Sequence, residues 1–234
     1  MLKLIEGQKK FYQEKYGQFG DDPRALGYND AESQRLRFKI LCELFRYETN
    51  QRFSVHEVGC GLAHFGAWLQ EKKINSEYSG SDISGNFIEI ARAKFPESEF
   101  LLQNMGEDFD RLEARGNGKD YYVLSGTFNP MNETPVKEWE EFVLKVIGNM
   151  FRACRKGIAF NLLTSYSHEA RRSKSLYYSD PKIVYDWCKT HLSRFVTVIE
   201  DTPLYEFTVL VYKEEFIRSL YASGFDKYFR SGTP

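Results

Sequence analysis

The chain lacks any apolar run near the ~18 residues that a bilayer-spanning helix needs, which excludes an integral helical membrane protein. Cysteine is scarce. The four cysteines, at 42, 60, 154 and 188, lie far apart and form no C-x-x-C pair. That excludes a disulfide framework and reads as free thiols in a reducing cytoplasm. An excess of charge of either sign is also missing, with 32 Lys and Arg against 33 Asp and Glu. Without a basic excess to neutralise phosphates, a nucleic-acid substrate is not expected. Residues 1–6 are too few and, with Lys3 and Glu6, too polar for a signal peptide. Internal repeats and low-complexity segments are absent. What remains is a chain of 234 residues, enough to bury one full core, and a single soluble α/β domain over 1–234 is expected.

The informative stretch is 53–61, where extended-type residues run through Glu57 into Gly59, Cys60 and Gly61. A helix-like stretch at 62–69 follows at once, giving strand, tight turn and helix. Glycines one residue apart let the backbone turn sharply and approach a ligand closely. The helix amino terminus then aims N–H groups at whatever lies over the turn. The dinucleotide pattern G-x-G-x-x-G fails here, because its sixth position is His64. A second strand, 78–83, ends in Asp82, 23 residues beyond Gly59, the distance a β-α-β unit needs to return to a neighbouring parallel strand. Asp82 either caps the following helix, 83–95, or accepts hydrogen bonds from ribose hydroxyls, and Ser84 is available as the alternative cap.

Glu57, Gly59, Gly61 and Asp82 together resemble the first two motifs of the class I S-adenosylmethionine-dependent methyltransferases, with Ala63 in place of the third glycine of the first motif. The resemblance covers roughly residues 30–213. It implies a Rossmann-like α/β fold, a seven-stranded, mostly parallel sheet with helices on both faces. An aminoterminal helical lid over 1–50, a core over 53–213 and a tail over 214–234 complete that picture. S-adenosylmethionine is the implied cofactor and S-adenosylhomocysteine its product. Asp82 becomes the ribose acid, and Glu57 lies near the methionine amino group. Gly59, Cys60 and Gly61 supply backbone contacts, with Ile83 and Ser125 at neighbouring strand ends. Asn104 faces the adenine amine, and Met105 offers a backbone N–H and an apolar wall. Arg37 either pairs with the methionine carboxylate or forms a structural ion pair.

The remaining chain keeps the rhythm of alternating strands and helices. Strands are read at 100–103, 121–125 (entered through a turn at 116–120) and 157–163, and a helix at 136–154 from its apolar period. Asp180 and Pro181 open another helix as N-cap and first-turn residue. Strands at 195–199 and 207–212, joined by a short turn, form an antiparallel pair. Before the core, 4–16 reads as a helix carrying Tyr12 and Tyr16 on one face, which either flank the sulfonium or pack the helix down. Asn29 with Glu32 suggests a capping box for a helix over 30–45, whose buried stripe is Leu36, Ile40 and Leu44.

The acceptor is expected at the carboxyl edge of the sheet, with Phe128 and Asn129 lining its pocket. Asn129 and Pro130 partly match an Asn-Pro-Pro-Tyr amino-methylation motif, but Met131 and Asn132 break it. The long connection 165–180 carries Tyr166, His168, Arg171, Arg172, Tyr177 and Tyr178. Long connections are often binding loops. This one either holds a small anionic acceptor, with His168 as a conditional base, or is a surface excursion. No metal site is expected: His56, Cys60 and His64 fall on a strand, a turn and a helix, and their side chains should diverge. Methyl transfer to oxygen or nitrogen of a small molecule is therefore the leading expectation. Transfer or cyclisation of the aminobutyrate chain, or cofactor binding without catalysis, are the alternatives.

Overall fold

The computed structural model describes residues 2–104, 106 and 118–229. The strands are β1 (Phe53–Val58), β2 (Ser76–Asp82), β3 (Glu99–Leu102), β4 (Tyr121–Leu124), β5 (Gly157–Thr164), β6 (Tyr178–Ser179), β7 (Val196–Ile199) and β8 (Glu206–Tyr212), most of them apolar-alternating or continuously apolar, whereas β2 is largely polar. The sheet order is β3-β2-β1-β4-β5-β8-β7, with the short β6 pairing β5. Pairs among β1 to β6 are parallel, whereas β8 runs antiparallel to both β5 and β7. This is the order the resemblance implies, with β6 as an eighth strand that the sequence analysis does not anticipate. The chain reverses direction between β1's two neighbours, β2 and β4. A crevice opens outside the carboxyl ends of strands at such a switch point.

Alternation along the strands splits the core into two layers. Phe207, Val209 and Val211 of β8 join Tyr122, Leu124, Ile158 and Phe160 on one face. That face is covered by α5 (Val136–Ala153) and α6 (Pro181–His191), through Trp139, Val143, Ile147, Met150, Val184 and Cys188. Leu210 and Tyr212 point the other way with Tyr121, Val123 and Ala159, under α2 (Ala31–Leu41), α3 (His64–Glu71) and α4 (Gly85–Lys94). Burying a Leu, Val or Phe side chain contributes roughly 1.5–3 kcal/mol, so this period-2 division fixes strand register. α1 (Leu2–Phe19) crosses between the layers at the strands' carboxyl edge. Ile5 joins the first layer, while Tyr16 packs edge-on against Phe87 of α4 with centroids 5.7 Å apart.

Several local readings are corrected. The N-cap of α2 is Asp30, whose carboxylate accepts from the Ser33 N–H at 2.7 Å, so Asn29 and Glu32 do not form the box. The helix ends at Leu41 and a 3₁₀ turn, Cys42–Phe45, follows. Its buried apolar positions are Phe38, Ile40 and Leu41, with Leu36 only half-buried. Asp180 does cap α6, accepting from the Lys182 N–H at 2.9 Å. The expected tail carries α7 (Glu214–Ser219) and a 3₁₀ turn, with Ile217 buried against the sheet. Residues 116 and 117 of the turn expected at 116–120 lie outside the described residues.

Candidate active site

The Gly59–Gly61 turn is held by its own backbone. The Ser81 carbonyl accepts from the N–H groups of Gly59 (2.8 Å) and Cys60 (3.0 Å), and the Gly61 N–H donates to Asp82 Oδ2 at 2.9 Å. All three N–H groups are thereby committed within the protein. The turn offers a ligand its shape, not the free donors the sequence suggests. Gly59 has φ 71°, and a Cβ there would lie 2.4 Å from Thr127 Oγ1. Gly61 has φ 49°, with a Cβ 2.7 Å from the Leu26 side chain. Both positions need glycine on two counts, a left-handed backbone and close packing. Ala63, also left-handed at φ 58°, precedes α3, which begins at His64 and not at residue 62.

Two carboxylates flank the turn. Asp82 ends β2 and accepts from the Gly61 and Ser84 N–H groups, at 2.9 and 2.8 Å. Burial pushes its pKa up, and these donors pull it part of the way back. Glu57, buried in β1, accepts from the Tyr78 hydroxyl. Its burial raises the pKa to about 8, so it holds a proton near neutrality. His64 ties the turn to its surroundings: Nδ1 meets Gln34 Nε2 at 3.1 Å and Nε2 meets Asp21 Oδ1 at 2.8 Å. Because the Gln34 amide nitrogen can only donate, the neutral His64 tautomer carries its proton on Nε2. His56 points elsewhere, between the Ser79 and Ser81 hydroxyls at 3.0 and 2.9 Å.

Above these groups lies a cavity enclosing about 890 Å³, part of it open to solvent. Its floor contains Glu57, Gly59, Cys60, Gly61, Asp82, Ile83, Asn104 and Ser125, which the structure brings together from the ends of four strands. Met105 lies outside the described residues. The roof is α1, through Ile5, Gln8 and Tyr12, and one wall is Phe128 with Trp139 and Phe142 of α5.

Other expected site residues lie elsewhere. Arg37 is not on the cavity wall. Its Nε donates to Glu206 Oε2 at 2.7 Å in a buried ion pair, and its guanidinium stacks over the Tyr28 ring, which does line the cavity. Of the two open readings for Arg37, the ion pair is the one realised. The 165–180 connection does not reach the cavity. Tyr177 is buried in the core, and Tyr178 joins β6 with its hydroxyl accepting from the Ser173 N–H at 3.0 Å. Tyr166 is 59% exposed; Arg171 is exposed, as is His168, whose ring meets Tyr205. Asn129 does not line the cavity; its backbone carbonyl accepts from the Tyr177 N–H at 2.8 Å, and its side-chain Oδ1 is buried without a partner among the described residues. These aromatics tie the connection to β5 instead of lining a pocket.

No protein-family model matches the chain. A Mycobacterium tuberculosis protein described as "Putative methyltransferase Rv1506c" is 32% identical over 161 residues, covering 69% of this chain and 93% of that one. The chain belongs to the class I S-adenosylmethionine-dependent methyltransferases. Solved structures of this fold include the magnesium protoporphyrin IX methyltransferase of Synechocystis with bound S-adenosylmethionine. It matches at a TM-score of 0.58 and 12% identity, over 88% of this chain and 97% of that one. The 1,6-didemethyltoxoflavin-N1-methyltransferase of Burkholderia thailandensis matches at 0.57 and 12% identity, over 88% and 86%. At such identity the likeness is one of fold.

In this methyltransferase, sequence reading misses Gln8, Tyr28, Thr127, Trp139 and Phe142 at the cavity. Tyr28 donates to Ser125 Oγ at 2.9 Å across 97 residues, and Gln8 Nε2 donates to the Pro130 carbonyl across 122. No local pattern announces such pairings. The available signal was the apolar face of α5, read only as core.

Proposed function

We propose that this methyltransferase binds S-adenosylmethionine over the Gly59–Gly61 turn and methylates an oxygen or nitrogen of a small-molecule acceptor. The observation that carries the reading is Asp82. Each of its oxygens takes one backbone N–H, and a carboxylate has about four lone-pair sites. Acceptor capacity is left for ribose hydroxyls, directly beside a glycine turn that any side chain would fill. Glu57 lies below, where the methionine ammonium would draw its raised pKa back down and favour the ionised carboxylate, with Ile83, Asn104 and Ser125 around the adenosine. Bound there, the cofactor supplies a methyl group on a sulfonium that is already an activated leaving group. The protein's own task is then alignment and exclusion of water. Helix α1 closes the cavity from above, and Phe128 and Trp139 give it a dry wall. The acceptor's lone pair is positioned by shape, and its proton passes to solvent without a dedicated base.

Calorimetric titration with S-adenosylhomocysteine tests the reading. One site of micromolar or tighter affinity is expected, and no binding to the folded protein would refute it.

A further inference from the structure

The half of the cavity away from the glycine turn has its own chemistry. Its walls are Ile5, Phe128 and Trp139, largely aromatic, whereas Tyr12 packs toward Leu62 on the glycine-turn side and Phe142 toward Gly106. Trp139 and Phe142 lie with centroids 5.5 Å apart and planes inclined by 40°. The Trp139 N–H is already used, donating to the Phe128 carbonyl at 3.0 Å. Among the described residues that line the cavity there is no lysine and no arginine. An anionic acceptor would meet no cation from these walls, only the sulfonium of the methyl donor, and a buried charge without a protein partner is costly.

One polar group interrupts the apolar wall. Gln8 is 5% exposed, and its Nε2 donates to the Pro130 carbonyl. That bond fixes the amide's orientation, because the flipped amide would set two acceptor oxygens against each other. Gln8 Oε1, fully buried, accepts no hydrogen bond among the described residues. A buried acceptor left unmade costs about 1–3 kcal/mol, so a ligand that supplies the donor gains over one that does not.

Resting on the reading above, we infer that the acceptor is an uncharged, flat aromatic molecule carrying an N–H or O–H donor that Gln8 Oε1 accepts. The ring packs against Phe128 and Trp139 beneath Ile5 of α1, and the donor fixes which edge faces the methyl group. This replaces the anionic acceptor suggested by the cations of the 165–180 connection, which lie away from the cavity.

The test titrates naphthol, methoxynaphthalene and naphthoate into protein saturated with S-adenosylhomocysteine. Naphthol should bind about tenfold more tightly than methoxynaphthalene, equivalent to ~1.4 kcal/mol, and naphthoate should bind weakest. Gln8→Met should abolish the preference for naphthol while leaving methoxynaphthalene affinity unchanged. Ile5→Ala should weaken both neutral probes and keep the preference. Neither substitution should alter S-adenosylhomocysteine affinity, which also verifies folding. Tightest binding by naphthoate, a preference that survives Gln8→Met, or no probe binding to a protein that holds S-adenosylhomocysteine would each overturn the inference. Absence of S-adenosylhomocysteine binding would instead refute the function proposed above, and this inference with it.

Discussion

The Gly61 N–H and Asp82 Oδ2 lie 2.9 Å apart, joining the tip of the glycine turn to the carboxyl end of the next strand. The acid proposed to bind the ribose is therefore also a strut of the turn. Asp82→Ala frees two backbone donors, at Gly61 and Ser84, in addition to removing the acceptor. S-adenosylhomocysteine affinity should fall by roughly 1.5–3 kcal/mol, the value of a hydrogen bond to a charged group. Thermal melting should drop with it. Asp82→Asn, which keeps one acceptor oxygen, should be intermediate in both. Calorimetry showing unchanged affinity in Asp82→Ala would remove the residue from the site.

Gly59 is constrained twice, by φ 71° and by Thr127 Oγ1 at 2.4 Å from any Cβ. Gly59→Ala should therefore lower both stability and cofactor affinity. Adding Thr127→Ala removes the nearest atoms but leaves that residue's Cβ 3.1 Å away and the backbone strain intact. Partial recovery is expected in the double variant, measured by urea midpoint. Full recovery would mean that the left-handed backbone costs nothing.

Arg37→Ala leaves Glu206 buried without its cation, and burial already pushes the Glu206 pKa up. Breaking a buried pair from one side costs roughly 3–5 kcal/mol. Stability should fall by that order, and Arg37→Met with Glu206→Gln should restore much of it. Affinity for S-adenosylhomocysteine in the folded fraction should change little. A large loss of affinity at full stability would return Arg37 to the cofactor.

How far these roles were readable from sequence differs by residue, for physical reasons. The β1–turn–α3 unit was legible because its determinants are local: a glycine pair demanded by backbone angles, and an acid at fixed spacing. The β7–β8 hairpin was legible from residues alternating between two packed faces. The cap of α2 was misassigned by one residue because adjacent Asn29 and Asp30 both satisfy the capping pattern. Only the Ser33 N–H direction decides between them. The 165–180 connection stays open between a binding loop and a surface excursion in sequence, because exposed and buried tyrosines look alike there. Tyr178 belongs to a two-residue strand, and Tyr177 to the core. Gln8 and Tyr28 were invisible as cavity residues, since each depends on where a distant loop after β4 comes to rest.

His56 makes stability depend on acid. Burial between β1 and β2 pushes its pKa down to about 3, from an ordinary 6.5. The folded state keeps the ring neutral, while the unfolded chain takes up a proton below about 6.5. Between those values the unfolded state binds more protons, so the contribution is full above 6.5 and declines as pH falls toward 3. Between neutral pH and about pH 5, the wild-type urea midpoint should fall more than that of His56→Gln. Parallel profiles would show that His56 is not held neutral.

The most direct test of the account is mass spectrometry of the cofactor product. The protein would be incubated with methyl-deuterated S-adenosylmethionine and a pool of small aromatic metabolites. The account predicts S-adenosylhomocysteine, together with an acceptor that carries the deuterated methyl group, and both should be strongly reduced by Asp82→Ala. Accumulation of methylthioadenosine with transfer of the aminobutyrate chain would contradict it, as would intact cofactor after binding has been established.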